Sequence, residues 1–263
     1  MMEPMLHLER IVSSTRFSDL DSSVVEYAKL HILDTIGVIL AGTSAAGIPE
    51  VVRLAIKWGG TPRSTIPVYG VSVPPPSAAF AIGPMARALD YGGVHGAANE
   101  HTTEYTLPTA LPLAESLGSS GKELITSVAI GNEVIARVGA SVHTITPVGV
   151  AATHSVFRIW GPVASAASLL GLDTEATMNA IGLAFTQGGC DAQEFIDLVL
   201  KCRVQHGFVC STAIQCAYLA ESGITGTENV LSGQKGMYAA FFPNRDESWI
   251  VDGLDERRFL AVD

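Results

Sequence analysis

An irregular stretch at positions 90–106 holds five ionisable groups, among which Asp90, His95 and His101 form the strongest set for moving protons; the other two are Glu100 and Glu104. Histidine titrates near neutral pH, and a nearby carboxylate can orient it or stabilise its charged form. Such a set suits abstraction of a proton from a carbon beside a carboxylate or carbonyl. The alternative is an exposed loop whose histidines have no function. The two histidines lack the helical i, i+4 spacing of a common metal site, so no metal is expected.

A second break, at positions 143–160, contains His154 and Arg158. The two residues share one face if the segment is helical, so both could face one cavity. An arginine in such an apolar context usually has an anionic partner. That partner is either a substrate carboxylate or an acid of the chain, such as Asp191 or Glu194.

A third break is predicted between Lys201 and Gly207, and it contains Arg203 and His206. Its cations could form an anion-binding rim. They could equally complement the dipole at a helix end and be solvated. No dinucleotide or phosphate-loop fingerprint and no nucleophile-elbow motif occurs in the chain.

Composition narrows the classes of function. The formal net charge is −10 and no basic cluster exists, so nucleic acid is not an expected partner. Apolar residues make up 48% of the chain, but no stretch of about 18 residues runs without a break or a charge, so no membrane span is expected. The N-terminus lacks a signal pattern, and the four cysteines have no zinc-finger spacing. We therefore expect reduced thiols and a cytoplasmic protein.

The elements that position these residues are predicted to be helices. Apolar residues recur at three- and four-residue steps in nine or ten segments with almost no period-two pattern, which predicts an all-α fold. The first strong helix is predicted at 23–41 and begins with a capping box of Ser23 and Glu26. Others are predicted to begin at about Pro108 and, after Gly207, at Val209.

Several stretches resemble the MmgE/PrpD family, which includes 2-methylcitrate dehydratase, cis-aconitate decarboxylase and iminodisuccinate epimerase. They occur in the family's order and are AKLHILDTIGVILAG (28–42), ALDYGGVHGAANEHTTEYTLPTALPLAE (88–115), GPVASAASLLGL (161–172), NAIGLAFTQG (179–188) and RVQHGFVCSTAIQCAYLAESGITG (203–226). The stretch 203–226 is most similar to the fungal cis-aconitate decarboxylase branch of the family. The resemblance implies a helical domain over 1–242. The irregular tail 243–263 would lie where the family's lid begins, so the lid itself is expected to be absent. It also implies a homodimer and no metal or organic cofactor.

The resemblance carries site residues onto this chain. Asp90 matches the first acid of the family's loop, His101 the histidine after it, and His154 the second histidine. The family's lysine position is occupied by Cys202, so its role either passes to the adjacent Lys201 or is lost. We expect Asp90, His101, His154 and Lys201 to be catalytic. The residues expected to bind substrate are His95, Arg158, Gln187 and Arg203.

One departure from the family concerns the acids of the loop. The paired acids that follow the first Asp in the family are Gly92 and Gly93 here, so two carboxylates are missing from the loop.

The expected function is that of a cofactor-free lyase or isomerase acting on a carboxylated or carbonyl-containing small molecule. A histidine would move the proton in dehydration, decarboxylation, isomerisation or cyclisation, which share that step. The alternatives are a non-catalytic lidless paralogue that pairs with a full-length relative, and a fragment of an ordinary dehydratase.

Overall fold

Helices dominate the computed structural model, which describes residues 4–143, 156–187, 196–254 and 259–262. The α-helices within these ranges are, in chain order, α1 (Pro4–Ser14), α2 (Ser22–Gly42), α3 (Ile48–Trp58), α4 (Pro75–Arg87), α5 (Thr103–Leu117), α6 (Gly121–His143), α7 (Trp160–Leu170), α8 (Thr174–Ala184), α9 (Lys201–Glu221), α10 (Met237–Phe241) and α11 (Ser248–Val251). Single 3₁₀ turns occupy Phe17–Asp19, Phe185–Gln187 and Leu260–Val262. The predicted all-α fold is confirmed.

The only strands in the described ranges form one small hairpin. Strand β1 (Ser64–Ile66) pairs antiparallel with β2 (Val71–Val73), with Thr65 opposite Ser72. The hairpin packs against α4 and α5. It follows α3, which has Pro49 in its first turn, where a missing N–H costs no hydrogen bond.

The core lies between α4, α5, α6, α7 and α9. Its largest fully buried side chains include Tyr105, Phe157 and Trp160. Helix α9 packs against α4, α5, α7 and α8, and its other side is exposed at Phe208 and Leu219. None of the helices in the described part of the chain is long and apolar enough to cross a membrane.

The predicted third break is wrong, because 201–207 forms the first two turns of α9. Gly207 indicates a break in the sequence, but it is required by close helix packing. A Cβ at Gly207 would lie 2.4 Å from the backbone oxygen of Phe80 in α4, and one at Gly83 would lie 2.8 Å from the backbone oxygen of His206. The two glycines therefore allow α4 and α9 to pack backbone against backbone.

Two other helix starts also differ from the sequence prediction. Helix α2 begins at Ser22 after Asp21, whose side chain makes no capping hydrogen bond, so the capping box of Ser23 and Glu26 is wrong. Helix α5 begins at Thr103 and continues through Pro108. Pro108 has no N–H to donate to the carbonyl of Glu104, so the helix continues with one hydrogen bond fewer in its second turn. The predicted cap of α8 is confirmed, since the Asp173 carboxylate accepts the N–H of Ala176 at 2.8 Å.

The segment predicted as a tail, 243–263, packs onto the helical body where it is described. Ile250, Leu254 and Phe259 are buried. A buried ion pair on α6, Glu133 with Arg137, binds this segment through its backbone. The division of the chain at position 242 stays a prediction.

Candidate functional site

A cleft of about 260 Å³ lies between the C-terminal end of α4 and the N-terminal end of α9. We call it the arginine cleft, because guanidinium groups from both helices line it. Its lining residues are Arg87, Ala88, Asp90, Leu198, Val199, Leu200, Cys202 and Arg203. The apolar wall and the two arginines suit a small anionic ligand.

Asp90 begins the polar loop just after α4 and lies at the cleft. Its backbone is left-handed, with φ 54°, a conformation that Asp adopts more readily than most residues. The carboxylate forms an ion pair with Arg87 Nη1, and 69% of the side chain is exposed. Asp90 therefore neutralises and orients the Arg87 guanidinium from the solvent side of the cleft.

Behind Arg87 lies a buried acid, Glu104, in the first turn of α5. The Arg87 Nη1 atom is 4.0 Å from Glu104 Oε2, and the Glu104 side chain is 1% exposed. Burial raises the pKa of Glu104 from its usual 4.5 to about 7; the Arg87 charge opposes this rise and the Asp90 charge adds to it. Glu104 can therefore gain or lose a proton near neutral pH.

His101 contacts this acid from the loop. Its Nδ1 lies 3.5 Å from Glu104 Oε1 and 3.2 Å from the carbonyl oxygen of Gly92. A carbonyl can only accept, so Nδ1 carries the proton and donates it to Gly92, which leaves Nε2 as the basic nitrogen of the neutral ring. Burial and the Arg87 charge lower the pKa of His101, so the ring is neutral and able to accept a proton at neutral pH.

A second histidine, His206 of α9, faces the other oxygen of the acid. Its Nε2 lies 3.5 Å from Glu104 Oε2, and its ring stacks on Tyr105 at 4.1 Å between centroids. Burial and the charges of Arg87 and Arg158 hold the pKa of His206 well below its usual range. His206 is therefore a neutral partner of Glu104.

Among the residues predicted from sequence, Asp90 and Arg203 line the arginine cleft, whereas His101 is not among its lining residues and contacts the buried acid behind Arg87. The hydrogen bond to the His101 ring comes from the Gly92 carbonyl, Asp90 is paired with Arg87, and the expected role of Asp90 toward a histidine stays a prediction. Asp90 acts on His101 through its charge, which favours the protonated ring. Arg203 lines the cleft, and its Nη1 donates to the carbonyl oxygen of Ala46 at 2.6 Å.

Other predicted residues lie elsewhere. His95 lines a second cleft, where its Nδ1 accepts the Ala98 N–H at 3.2 Å and its Nε2 donates to the Leu260 carbonyl at 3.1 Å. Lys201 is exposed at the first position of α9 and is not among the residues lining the arginine cleft. Gln187 is exposed at the end of a 3₁₀ turn. His154 lies outside the described residues.

Arg158 has an acid of the chain as a partner. Its Nε donates to Glu100 Oε2 at 2.6 Å, and Glu100 is 1% exposed. A structural acid is one of the two kinds of partner expected from the sequence. The acid is Glu100, whereas the two acids given as examples, Asp191 and Glu194, lie outside the described residues. Whether Arg158 also contacts substrate stays a prediction.

The functional groups borne by helices do not stand out in the sequence. Arg87, Glu104 and His206 are absent from the predicted site: Arg87 ends a predicted helix, whereas Glu104 and His206 lie in stretches predicted to be irregular, where other residues were selected. One signal could have identified Arg87: it is an arginine at the end of an otherwise uncharged helix, and such a residue needs an anionic partner. Glu104 could have been noticed as the first acid of a helix that is buried almost throughout.

The arrangement can bind an anion and move a proton. Two guanidinium groups face the cleft, and a neutral histidine with a fixed tautomer lies next to a carboxyl group that titrates near pH 7. Within the described part of the chain, no group of three His, Cys, Asp or Glu residues is placed to hold a metal ion.

Comparison with known proteins identifies the family of this fold. The profile described as MmgE/PrpD N-terminal domain matches residues 7–250. The chain is 28% identical over 241 residues to the cis-aconitate decarboxylase-like protein oryM of Aspergillus oryzae (strain ATCC 42149 / RIB 40), covering 88% of this chain and 49% of that protein. It is 24% identical over 266 aligned positions to cis-aconitate decarboxylase of Mus musculus, covering 93% of this chain and 52% of that protein. The chain thus spans about half the length of these curated relatives, and it belongs to the MmgE/PrpD N-terminal domain family.

Proposed function

We propose that the chain carries the site of a cofactor-free lyase of the dehydratase or decarboxylase type, acting on a small carboxylate by proton transfer through His101. The observation that carries the proposal is the placement of a neutral histidine and a buried acid directly behind Arg87, which lines the arginine cleft. Family membership supports the same reaction class.

Carboxylate binding is the first step of this proposal. Arg87 and Arg203 present fork-shaped donors to the cleft, a geometry that matches carboxylate oxygens. Asp90 on the Arg87 guanidinium limits how much charge the cleft holds when empty. A substrate carboxylate would compete with Asp90 for Arg87 or bind the remaining N–H groups, which favours ligands with more than one carboxylate.

Proton transfer is the second step. His101 Nε2 takes a proton from a carbon beside a carboxylate or carbonyl, so that the C–H bond breaks and an N–H bond forms. The electron pair moves into the adjacent carbonyl system. In dehydration the pair then returns to form the carbon–carbon double bond as the neighbouring C–O bond breaks, and the hydroxyl takes the proton from His101 and leaves as water. In decarboxylation His101 first takes a proton from solvent, the C–C bond to one carboxylate breaks as CO₂ leaves and its electron pair moves into the adjacent carbonyl system, and His101 then gives its proton to the carbon.

The relatives suggest which carboxylates to test. Both are named for cis-aconitate decarboxylation. Cis-aconitate is a tricarboxylate with a carbon–carbon double bond beside a carboxylate, so it offers one carboxylate to each arginine and a third at the reacting carbon. We propose an unsaturated or hydroxylated tricarboxylate of this kind as the substrate class.

A turnover panel tests the substrate class. We expect conversion of cis-aconitate or a related hydroxy tricarboxylate, observed by ¹H NMR, and no conversion of the matched triamide, because the amide cannot pair with Arg87 or Arg203. Arg87→Met should raise KM at least tenfold, whereas Arg63→Met, a replacement outside the arginine cleft, should not. Equal turnover of acid and amide would contradict carboxylate recognition by the cleft.

The predicted homodimer stays a proposal, and one face of α2 supports it. Three leucines of α2 are exposed: Leu30 by 65%, Leu33 by 68% and Leu40 by 46%. Their spacing of i, i+3 and i+10 places them on one face of the helix. Gly37 lies on the same face, and a Cβ there would meet nothing within 4 Å. A second copy of the chain packed on this apolar stripe would bury it.

Light scattering after size exclusion tests this pairing. We expect the mass of a dimer for the unaltered chain and of a monomer for Leu33→Glu, because a carboxylate at the centre of the stripe would be buried unpaired. Leu117→Glu is the matched control, since Leu117 is 45% exposed on another helix. A monomer without any substitution, or a dimer that survives Leu33→Glu, would exclude pairing through α2.

A further inference from the structure

The buried carboxyl of Glu104 has no structural explanation of its own. The Gly92 backbone lies close enough to lower the pKa of Glu104, and the Cys202 backbone raises that of His206, but neither oxygen of Glu104 and neither ring nitrogen of His206 forms a hydrogen bond of good geometry among the described residues. Most buried polar side chains have well-formed hydrogen bonds, so four buried atoms without one are costly. A residue kept only for stability would be better replaced there by an apolar side chain. The cluster therefore indicates a group retained for its chemistry.

The loop is shaped to admit this carboxyl. A Cβ at Gly92 would lie 2.0 Å from Glu104 Oε1 and 2.6 Å from its carboxyl carbon. Any larger residue at this position would displace either the loop or the acid. The carbonyl of the same residue accepts the His101 Nδ1 proton at 3.2 Å. Gly92 thus joins the acid and the histidine in one arrangement.

We propose that Glu104 is a positioning residue for His101, holding the Nδ1 side of the ring and stabilising the imidazolium that forms when Nε2 takes a proton, and that Gly92 is the residue that makes this contact possible. The inference deepens the proposed function and rests on it for its catalytic meaning. No new bond to the substrate is involved. The imidazolium Nδ1–H points at Gly92 and Glu104, and an ionised Glu104 either pairs with it or accepts that proton.

Several other charged or titratable groups surround Glu104, and they come from every side of the cluster. They are Arg87 of α4, Asp90, Glu100 and His101 of the loop, His206 and Cys210 of α9, and Arg158 across the Tyr105 ring. Glu100 is already paired with Arg158, and Asp90 with Arg87. Glu104, which also contacts Arg87 and His206, is the acid of this set whose carboxyl oxygen lies next to the His101 ring, at 3.5 Å from Nδ1.

The proposed role of Glu104 determines the direction in which the reaction rate depends on pH. Glu104 is protonated below about pH 7 and ionised above it. Only the ionised form stabilises an imidazolium, so the rate should fall as the pH drops through this value. The glutamine of Glu104→Gln keeps the shape of the side chain but cannot ionise. This variant should therefore lose the fall in kcat at low pH, which we call the low-pH limb of the kcat profile. A purely structural residue would change the rate without moving the limb.

Histidine NMR tests the contact without requiring turnover. The chain has seven histidines, and ¹³C-labelled rings assigned through His101→Gln and His206→Gln report on their neighbours. We expect the His101 and His206 signals to show an inflection near pH 7 that disappears in Glu104→Gln and persists in Glu115→Gln, a control on the same helix. Gly92→Ala should also remove or displace it. Gly96→Ala should not, since a Cβ there meets nothing within 4 Å.

The outcomes are separable from those of the proposed function. An inflection that survives Glu104→Gln, or equal effects of Gly92→Ala and Gly96→Ala, would overturn the contact itself. If Glu104→Gln removed the inflection but left the fall of kcat at low pH unchanged, the positioning role of Glu104 would be overturned. Absence of any turnover would contradict the proposed function while leaving the NMR result to decide the pairing of Glu104 with His101.

Discussion

Replacement of His101 by glutamine is expected to lower kcat by roughly 10²- to 10⁴-fold, the usual contribution of a general base. Glutamine retains the size and polarity of the side chain but has no basic nitrogen. The effect should fall on kcat with little change in KM, because the carboxylate-binding groups of the cleft, Arg87 and Arg203, are unaltered. The measurement is steady-state turnover of the best carboxylate of the panel.

The matched control for this prediction is His7→Gln. His7 lies on α1, away from the arginine cleft. The control should retain full turnover, and both variants should unfold at the denaturant concentration of the unaltered chain. A His101→Gln variant with kcat within about twofold of the unaltered chain would rule out His101 as the base.

Replacement of Arg137 by alanine is expected to lower the free energy of unfolding by about 3–5 kcal/mol, as for other buried ion pairs that lose one partner. Arg137 is 2% exposed and its Nε is paired with Glu133 Oε1. Its Nη1 donates to the carbonyl oxygens of Trp249 and Asp252, both at 2.9 Å. Without the guanidinium, Glu133 would be a buried charge with no counter-ion and these carbonyls would lose their donor.

The same substitution should release the C-terminal segment. Glu133 accepts the N–H groups of Leu260 and Ala261, each at 2.9 Å, so the pair binds the segment on both sides. Urea unfolding and limited proteolysis measure the two effects. Arg53→Ala, which breaks an exposed pair with Glu50, should cost about 0–1 kcal/mol. A loss in Arg137→Ala no larger than that of this control would contradict a structural role for the buried pair.

Most of the fold could be predicted because its helices are long and their apolar residues recur with helical spacing. The errors arise where a residue serves tertiary packing. Position 207 requires glycine because the backbone of α4 packs against it, not because the helix ends there. The sequence near Gly207 gives no indication of that neighbouring helix. Pro108 lies inside α5 although its residue type indicates a helix start, because proline is commoner at a helix beginning than within it.

The candidate site was predictable only in its loop. Asp90 and His101 stand out because they interrupt an apolar pattern. Glu104 and His206 carry the buried half of the site; both lie in stretches predicted to be irregular, but their burial in two helices and their mutual contact are not visible in the sequence. In the sequence, Gly92 and Gly93 indicate the loss of two carboxylates. The structure gives Gly92 a positive role, since its missing side chain leaves the space that the Glu104 carboxyl occupies.

Hydrogen exchange at the reacting carbon tests proton transfer through His101 without depending on which later step limits turnover. The chain is incubated in D₂O with cis-aconitate or the best carboxylate of the panel, and ¹H NMR follows deuterium entering the substrate or product carbon beside the carboxylate. We expect deuterium incorporation by the unaltered chain that is lost in His101→Gln and retained in His7→Gln. Incorporation at an equal rate in His101→Gln would contradict proton transfer through His101.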